Sequence, residues 1–239
     1  MASKKKQLEI SLKELNDIKP ITENQKLVFD NYKDKELFLY GVAGTGKTFV
    51  ALYNALKDVL DPKSPRERVY IVRSIIPTRD IGFLPGDEED KSYLYQTPYQ
   101  NMVRFMFKRG SDAEFDRLYN DLRNQGTIDF LTTSFLRGVT IDNGVIIVDE
   151  CQNLNFHELD TIMTRVGQDS KIVFAGDMQQ TDLTKTQDRN GILDFVNILQ
   201  EMNEMKCIEF DLNDIVRSGL IKSYLINKIK LGLHYEQQV

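Results

Sequence analysis

The sequence predicts an α/β fold, a parallel sheet flanked by helices. Three observations carry that prediction. Short apolar runs of strand length alternate with segments whose apolar residues recur every three to four positions. The runs at 68–73 and 145–148 show almost no apolar–polar alternation, as expected of strands buried on both faces of a parallel sheet. Between the first run and the first long helix lies Gly41-Val42-Ala43-Gly44-Thr45-Gly46-Lys47-Thr48, which reads G-x-x-x-x-G-K-T, the pattern of a phosphate-binding loop (P-loop).

The residue types in that loop follow from the chemistry of phosphate. A nucleoside triphosphate brings negative oxygens that need donors. Glycines let consecutive backbone N–H groups curl inward without a side-chain clash. Lys47 offers an ammonium to the β- and γ-phosphates, and the Thr48 hydroxyl is a candidate magnesium ligand. Residues 36–40 precede the loop as a strand. After it, Phe49, Leu52, Tyr53, Leu56, Val59 and Leu60 form one helical face, which Asp61-Pro62 stops. The helix N-terminus therefore points at the loop, where its dipole favours phosphate.

A chain of 239 residues suffices for one sizeable domain, expected over residues 20–239, with residues 1–19 as a loosely attached arm. The net charge of −5 lends nucleic-acid binding no support and does not exclude it. Cys151 and Cys207 lack metal-ligand spacing and read as buried thiols of a reducing compartment. No apolar run reaches membrane-spanning length, and no apolar segment follows Lys4, Lys5 and Lys6 to make a signal peptide. A cytoplasmic location is the default expectation, and the basic tip reads as a solvated terminus.

Before the first strand, Thr22 and Gln25 have capping-box spacing. Gln25 can equally present its amide to an adenine edge, one donor and one acceptor. Both readings stand at this point. Residues 68–73 form the second strand, with Arg73 where its C-terminal end meets the crevice of a parallel sheet. Residues 75–98 carry Pro77, Gly82, Pro85, Gly86 and Pro98, too loop-rich for a regular element, with a turn at Pro85-Gly86. Two helices follow: Tyr99, Met102, Val103 and Met106 line the first, and Ser111 with Glu114 caps the second. Tyr93, Tyr95, Tyr99, Arg104, Lys108 and Arg109 interleave aromatics with cations. That could stack single-stranded bases, but core packing with a solvated face is the stronger reading.

Residues 127–131 are a third strand. Residues 145–150 are four apolar positions ending in Asp149 and Glu150. Such a strand delivers Asp149 to the crevice beside the loop to hold magnesium, while Glu150 polarises a water against the γ-phosphate. Asn155 and Glu158 cap a helix in whose first turn His157 reads as a surface residue. Residues 171–175 are a further strand, with Gln180 beyond its end as a γ-phosphate sensor. A helix from about Gly191, a strand at 206–210 and a terminal helix after Asp214 complete the chain.

Taken together, the segments GVAGTGKT, GFLPGD, FLRG, VIIVDECQN, MTRVGQDSKIVFAGDMQQTDL, NGILDF and DIVRS resemble the PhoH family of ATPases over roughly residues 20–229. The resemblance implies a P-loop NTPase with a RecA-like parallel sheet, similar to the core of superfamily 1 helicases. It implies ATP binding and hydrolysis with Mg2+, assembly into a hexameric ring, and work on RNA. Residue by residue, Gly46, Lys47 and Thr48 match phosphate and magnesium positions, Asp149 and Glu150 the metal and water positions, Gln180 the glutamine of the GDxxQ motif, and Arg217 the arginine of the D-V-V-R segment. Cys151 departs from the family's usual alanine, and nothing resembles the nuclease or RNA-binding modules of some relatives. With one RecA-like domain, the site is expected to be completed across a subunit interface by Arg217, with Arg73 and Arg189 as weaker candidates. Retention of Glu150 favours an ATPase over a nucleotide-controlled binding or assembly module; a small-molecule kinase is the other enzymatic reading, and no N-K-x-D segment supports a GTPase.

Overall fold

The structure, a computed structural model, describes residues 10–73, 88–133, 136, 138–178 and 186–231. Six parallel strands form one sheet in the order β3-β2-β4-β5-β1-β6. They are β1 (Glu36–Gly41), β2 (Arg68–Arg73), β3 (Ile128–Leu131), β4 (Gly144–Asp149), β5 (Lys171–Gly176) and β6 (Met205–Phe210). The helices are α1 (Glu23–Asn31), α2 (Lys47–Val59), α3 (Glu88–Met106), α4 (Asp112–Asn124), α5 (Phe156–Met163), α6 (Thr186–Glu201) and α7 (Gly219–Lys230).

Strand side chains point alternately to the two faces of the sheet, and each face buries its own core. Leu37, Leu39, Val69, Ile71, Val145 and Ile147 pack with α1, α2, α3 and α4. Phe38, Val72, Ile146, Val148, Ile172 and Phe174 pack with α5 and α6. This double burial is why β4 and β5 read as unbroken apolar runs. α2 sits in the middle of the first face, and residues 50–56 of it are all buried.

Two expectations need correction. α3 starts at Glu88, inside the stretch expected to be irregular, and carries Pro98 in its interior. A proline removes one helical hydrogen bond at a cost of about 3 kcal/mol. Here the packing of Tyr99, Val103 and Met106 into the core offsets that loss. Residues 10–18, expected as part of a loose arm, are tied to the domain. Ile10 and Leu15 are buried, the Asn16 N–H donates to Met106 O at 2.7 Å, and the Tyr53 hydroxyl donates to Asn16 O at 2.9 Å. Their apolar positions are too sparse to show a period, yet each meets the core.

The aromatic–cation segment takes the packing reading where its side chains are described. Tyr99 is buried, Arg104 lies 4.4 Å over the Phe115 ring, and Arg109 pairs with Glu14 at 2.5 Å. The Ser111 cap forms, but Glu114 accepts from the Gly110 N–H, so the box is not reciprocal. Lys4–6, the turn at 82–87, Gln180 and the side chains of Tyr93, Tyr95 and Arg189 lie outside the described residues.

Candidate functional site

β5 stands between β1 and β4, so the glycine-rich loop after β1 and the carboxylates after β4 flank one crevice at the C-terminal ends of the strands. That end of a parallel sheet is where ligands bind. The crevice holds about 690 Å³. The loop closes on itself around Lys47. The Lys47 ammonium donates to Gly41 O and Val42 O, each at 2.8 Å, and the Thr45 hydroxyl donates to Val42 O at 2.9 Å. Two glycines are required by geometry. Gly41 has φ 114° and a Cβ there would lie 2.1 Å from Phe210 O, while Gly46 has φ 83° at the N-cap of α2. Lys47 is only 9% exposed. Burial lowers its pKa, opposed by Asp177, Glu150 and Asp149 across the crevice.

Asp149 is held from two sides. The Thr48 hydroxyl donates to Oδ1 at 2.7 Å, and the Tyr99 hydroxyl donates to Oδ2 at 2.6 Å. Burial raises the Asp149 pKa, and Glu150 adds to this; the two hydroxyls and Arg73 oppose it. Arg73 stands at the strand end paired with Asp149, and its charge acts on both Asp149 and Tyr99. Glu150 leaves the strand in the left-handed region, φ 51°, a conformation that costs a non-glycine residue on the order of 1 kcal/mol or more and recurs at functional sites. Its carboxylate accepts from the Gln152 side-chain amide at 2.5 Å, while Gln152 Oε1 accepts from the Asp177 N–H at 3.0 Å. Gln152 thus links the carboxylate after β4 to the turn after β5.

Thr22 caps α1, but the box that its spacing with Gln25 suggests is not reciprocal, because the Gln25 side chain reaches the residue before the cap. The Gln25 N–H donates to Thr22 Oγ1 at 3.2 Å and its Oε1 accepts from the Ile21 N–H at 3.0 Å. Its Nε2 also donates to Thr45 O at 3.0 Å, fixing the phosphate loop to α1. Arg217 lies in the crevice of its own chain. The Val216 N–H donates to Gly44 O at 3.1 Å, and a Cβ at Gly44 would sit 3.1 Å from Arg217 Cγ. The expectation that Arg217 serves a neighbouring subunit did not foresee this contact, because nothing in the sequence links residues 44 and 217.

Sequence reasoning missed the parts that Tyr99 and Gln152 play in the site. Gln152 had a signal, a second polar residue one step past Cys151 at the carboxylate end of a buried strand. Tyr99 had none, since its partner is 50 residues away in the chain. Tyr99→Phe removes only the hydroxyl from a buried, charge-assisted hydrogen bond. We expect it to cost about 1.5–3 kcal/mol of stability, measured by urea unfolding. A loss under about 0.5 kcal/mol would mean that the bond is not formed in solution.

The chemistry of the Thr48–Asp149 pair fits magnesium. Both are hard oxygen donors, and burial of the carboxylate strengthens its attraction for a dication. Among the described residues no three His, Cys, Asp or Glu side chains gather as a metal-holding group. Magnesium keeps several waters and takes further ligands from substrate phosphates, so two protein oxygens are enough to place it.

A glycine loop at a helix N-terminus, a parallel sheet, and a buried acidic strand end one strand removed define a P-loop nucleotide-binding fold. The large terminase of a thermophilic bacteriophage is similar in fold, with TM-score 0.52 and 12% identity over 86% of this chain and 50% of that one. The chain belongs to the PhoH family: the family profile described as "PhoH-like protein" matches residues 17–228. It is 37% identical to Protein PhoH2 of Bacillus subtilis over 66% of this chain and 35% of that protein. It is 31% identical to a PhoH-like protein of Mycobacterium leprae over 90% of this chain and 59% of that protein, and 29% identical to Protein PhoH of Escherichia coli over 79% and 51%. The matches thus span between about a third and three fifths of these relatives' lengths.

Proposed function

We propose that this chain binds ATP with magnesium and hydrolyses it. The observation that carries the reading is the convergence of Lys47, Thr48 and Asp149 in one crevice with Glu150 held beside them. The backbone from Gly41 through Val42, Ala43, Gly44 and Thr45 to Gly46 cradles the phosphates. Lys47 exchanges its loop carbonyls for phosphate oxygens. Thr48 and Asp149 would hold magnesium, which when bound neutralises charge on the β- and γ-phosphates. Glu150, positioned by Gln152, orients the attacking water, and Gln180 is assigned the γ-phosphate from beyond β5. Magnesium-dependent phosphate release, with and without single-stranded RNA, tests the reading. Phosphate found on an acceptor instead would make the protein a kinase, and binding with no release would make it a nucleotide-controlled module.

RNA as a partner and a hexameric ring are proposed from the family resemblance. The exposed apolar side chains of α7, Leu220, Ile221 and Tyr224, support association between copies. Among the described residues no helix is long and apolar enough to cross a membrane. A cytoplasmic location is proposed from the sequence.

Arg217 is assigned to the phosphates of its own chain, because it lies against its own Gly44. Arginines in this role contribute about 10³–10⁵ in turnover. Arg217→Ala is therefore expected to lower phosphate release by about 10³-fold, and mixing it with Lys47→Ala protein should restore nothing. Recovered activity in the mixture would put the arginine in the neighbouring subunit instead.

A further inference from the structure

We propose that the nucleobase is held by stacking on an apolar wall built by Ile18, Ile21, Met102 and Phe105, and that the site accepts adenine and guanine nucleotides with little choice between them. This rests on the nucleotide-binding reading above and names the part of the site that sets its substrate range.

Ile21 and Phe105 are 74% and 72% exposed, among the most exposed large apolar side chains described. They come from unrelated elements, the turn before α1 and the last turn of α3. Both nevertheless line the crevice that contains Gly46, Lys47 and Thr48, as do Ile18, Phe49 and Met102. An aromatic ring standing in water beside a phosphate loop gains most by covering its face with a flat ligand. Phosphates seated on the loop leave the base to reach this wall.

Gln25 is poorly placed to read that base. It is 4% exposed, and both ends of its amide are engaged, Oε1 by Ile21 N–H and Nε2 by Thr45 O. Turning it to a base edge would release the loop from α1. Among the other polar side chains that line the crevice, Lys19 and Asn101 are the chain neighbours of Ile18 and Met102. A lysine donor suits N7, which adenine and guanine share, and a side-chain amide can match either purine edge by rotating. Stacking is likewise indifferent to base identity, because every base has a π-face.

Calorimetric titration in magnesium with ATP, GTP and inorganic tripolyphosphate tests the proposal on wild type, Phe105→Ala and Phe105→Tyr. Wild type should bind ATP and GTP within about tenfold of each other. Phe105→Ala should lose about tenfold for both nucleotides, the scale of one stacked base, and nothing for tripolyphosphate, which has no base. Phe105→Tyr should behave as wild type. Phe105 is exposed, so the alanine variant is expected to fold. Unchanged nucleotide affinity in Phe105→Ala, equal losses for all three probes, or an ATP–GTP gap above about 100-fold in wild type would each overturn the proposal. Failure of the underlying nucleotide reading looks different: tripolyphosphate and both nucleotides would bind Lys47→Ala as well as wild type.

Discussion

Lys47→Ala is expected to reduce ATP turnover by at least about 10³-fold while the fold survives. The ammonium donates to Gly41 O and Val42 O and lies within 3.4 Å of Thr45 Oγ1, so it is already placed at the mouth of the loop. Its pKa is lowered because burial disfavours its charge, against the pull of Asp177, Glu150 and Asp149. A desolvated cation gains strongly from a phosphate that replaces lost water, and that gain is forfeited without it. A 10³-fold loss corresponds to about 4 kcal/mol of barrier. The fold depends less on this side chain. Gly41 O and Val42 O lose a donor, but both residues are only partly buried, and the cost of burying the charge also disappears. Circular dichroism should match wild type while phosphate release collapses. Turnover within about threefold of wild type, on the order of 0.7 kcal/mol, would remove Lys47 from the site.

The parts of this protein that could be read from sequence are those fixed by local pattern. β2 matches its expected span, residues 68–73, because nothing interrupts its apolar run. The loop from Gly41 to Thr48 was legible because its spacing encodes its own geometry. The Thr22 and Asn155 caps were legible because cap and partner are three residues apart. What failed was long-range. The hydroxyl of Tyr99 on Asp149, the amide of Gln25 on Thr45 and the seat of Arg217 at Gly44 join residues far apart in the chain, and local periodicity carries no such information. α3 failed for another reason. Pro98 is a breaker by propensity, and tertiary packing of the residues after it overrides that local preference.

Glu150→Gln is expected to bind ATP within about threefold of wild type and to hydrolyse it about 10³-fold more slowly. The substitution keeps the shape of the side chain. Its amide retains a carbonyl oxygen that can accept from Gln152, so the bridge from β4 through Gln152 to Asp177 can persist. What disappears is the negative charge that orients and polarises a water, an effect worth about 10²–10⁴ in comparable proton-transfer roles. Asp149→Asn should do something different. Asp149 is the carboxylate that Thr48 and Tyr99 clamp, so neutralising it should weaken magnesium-dependent binding and leave binding in chelator unchanged. Single-turnover hydrolysis and nucleotide titration, each with and without magnesium, separate the two variants. A Glu150→Gln protein that hydrolyses ATP at the wild-type rate would move the water-orienting role elsewhere. If both variants lose the same nucleotide affinity, the two adjacent carboxylates do not divide metal and water between them.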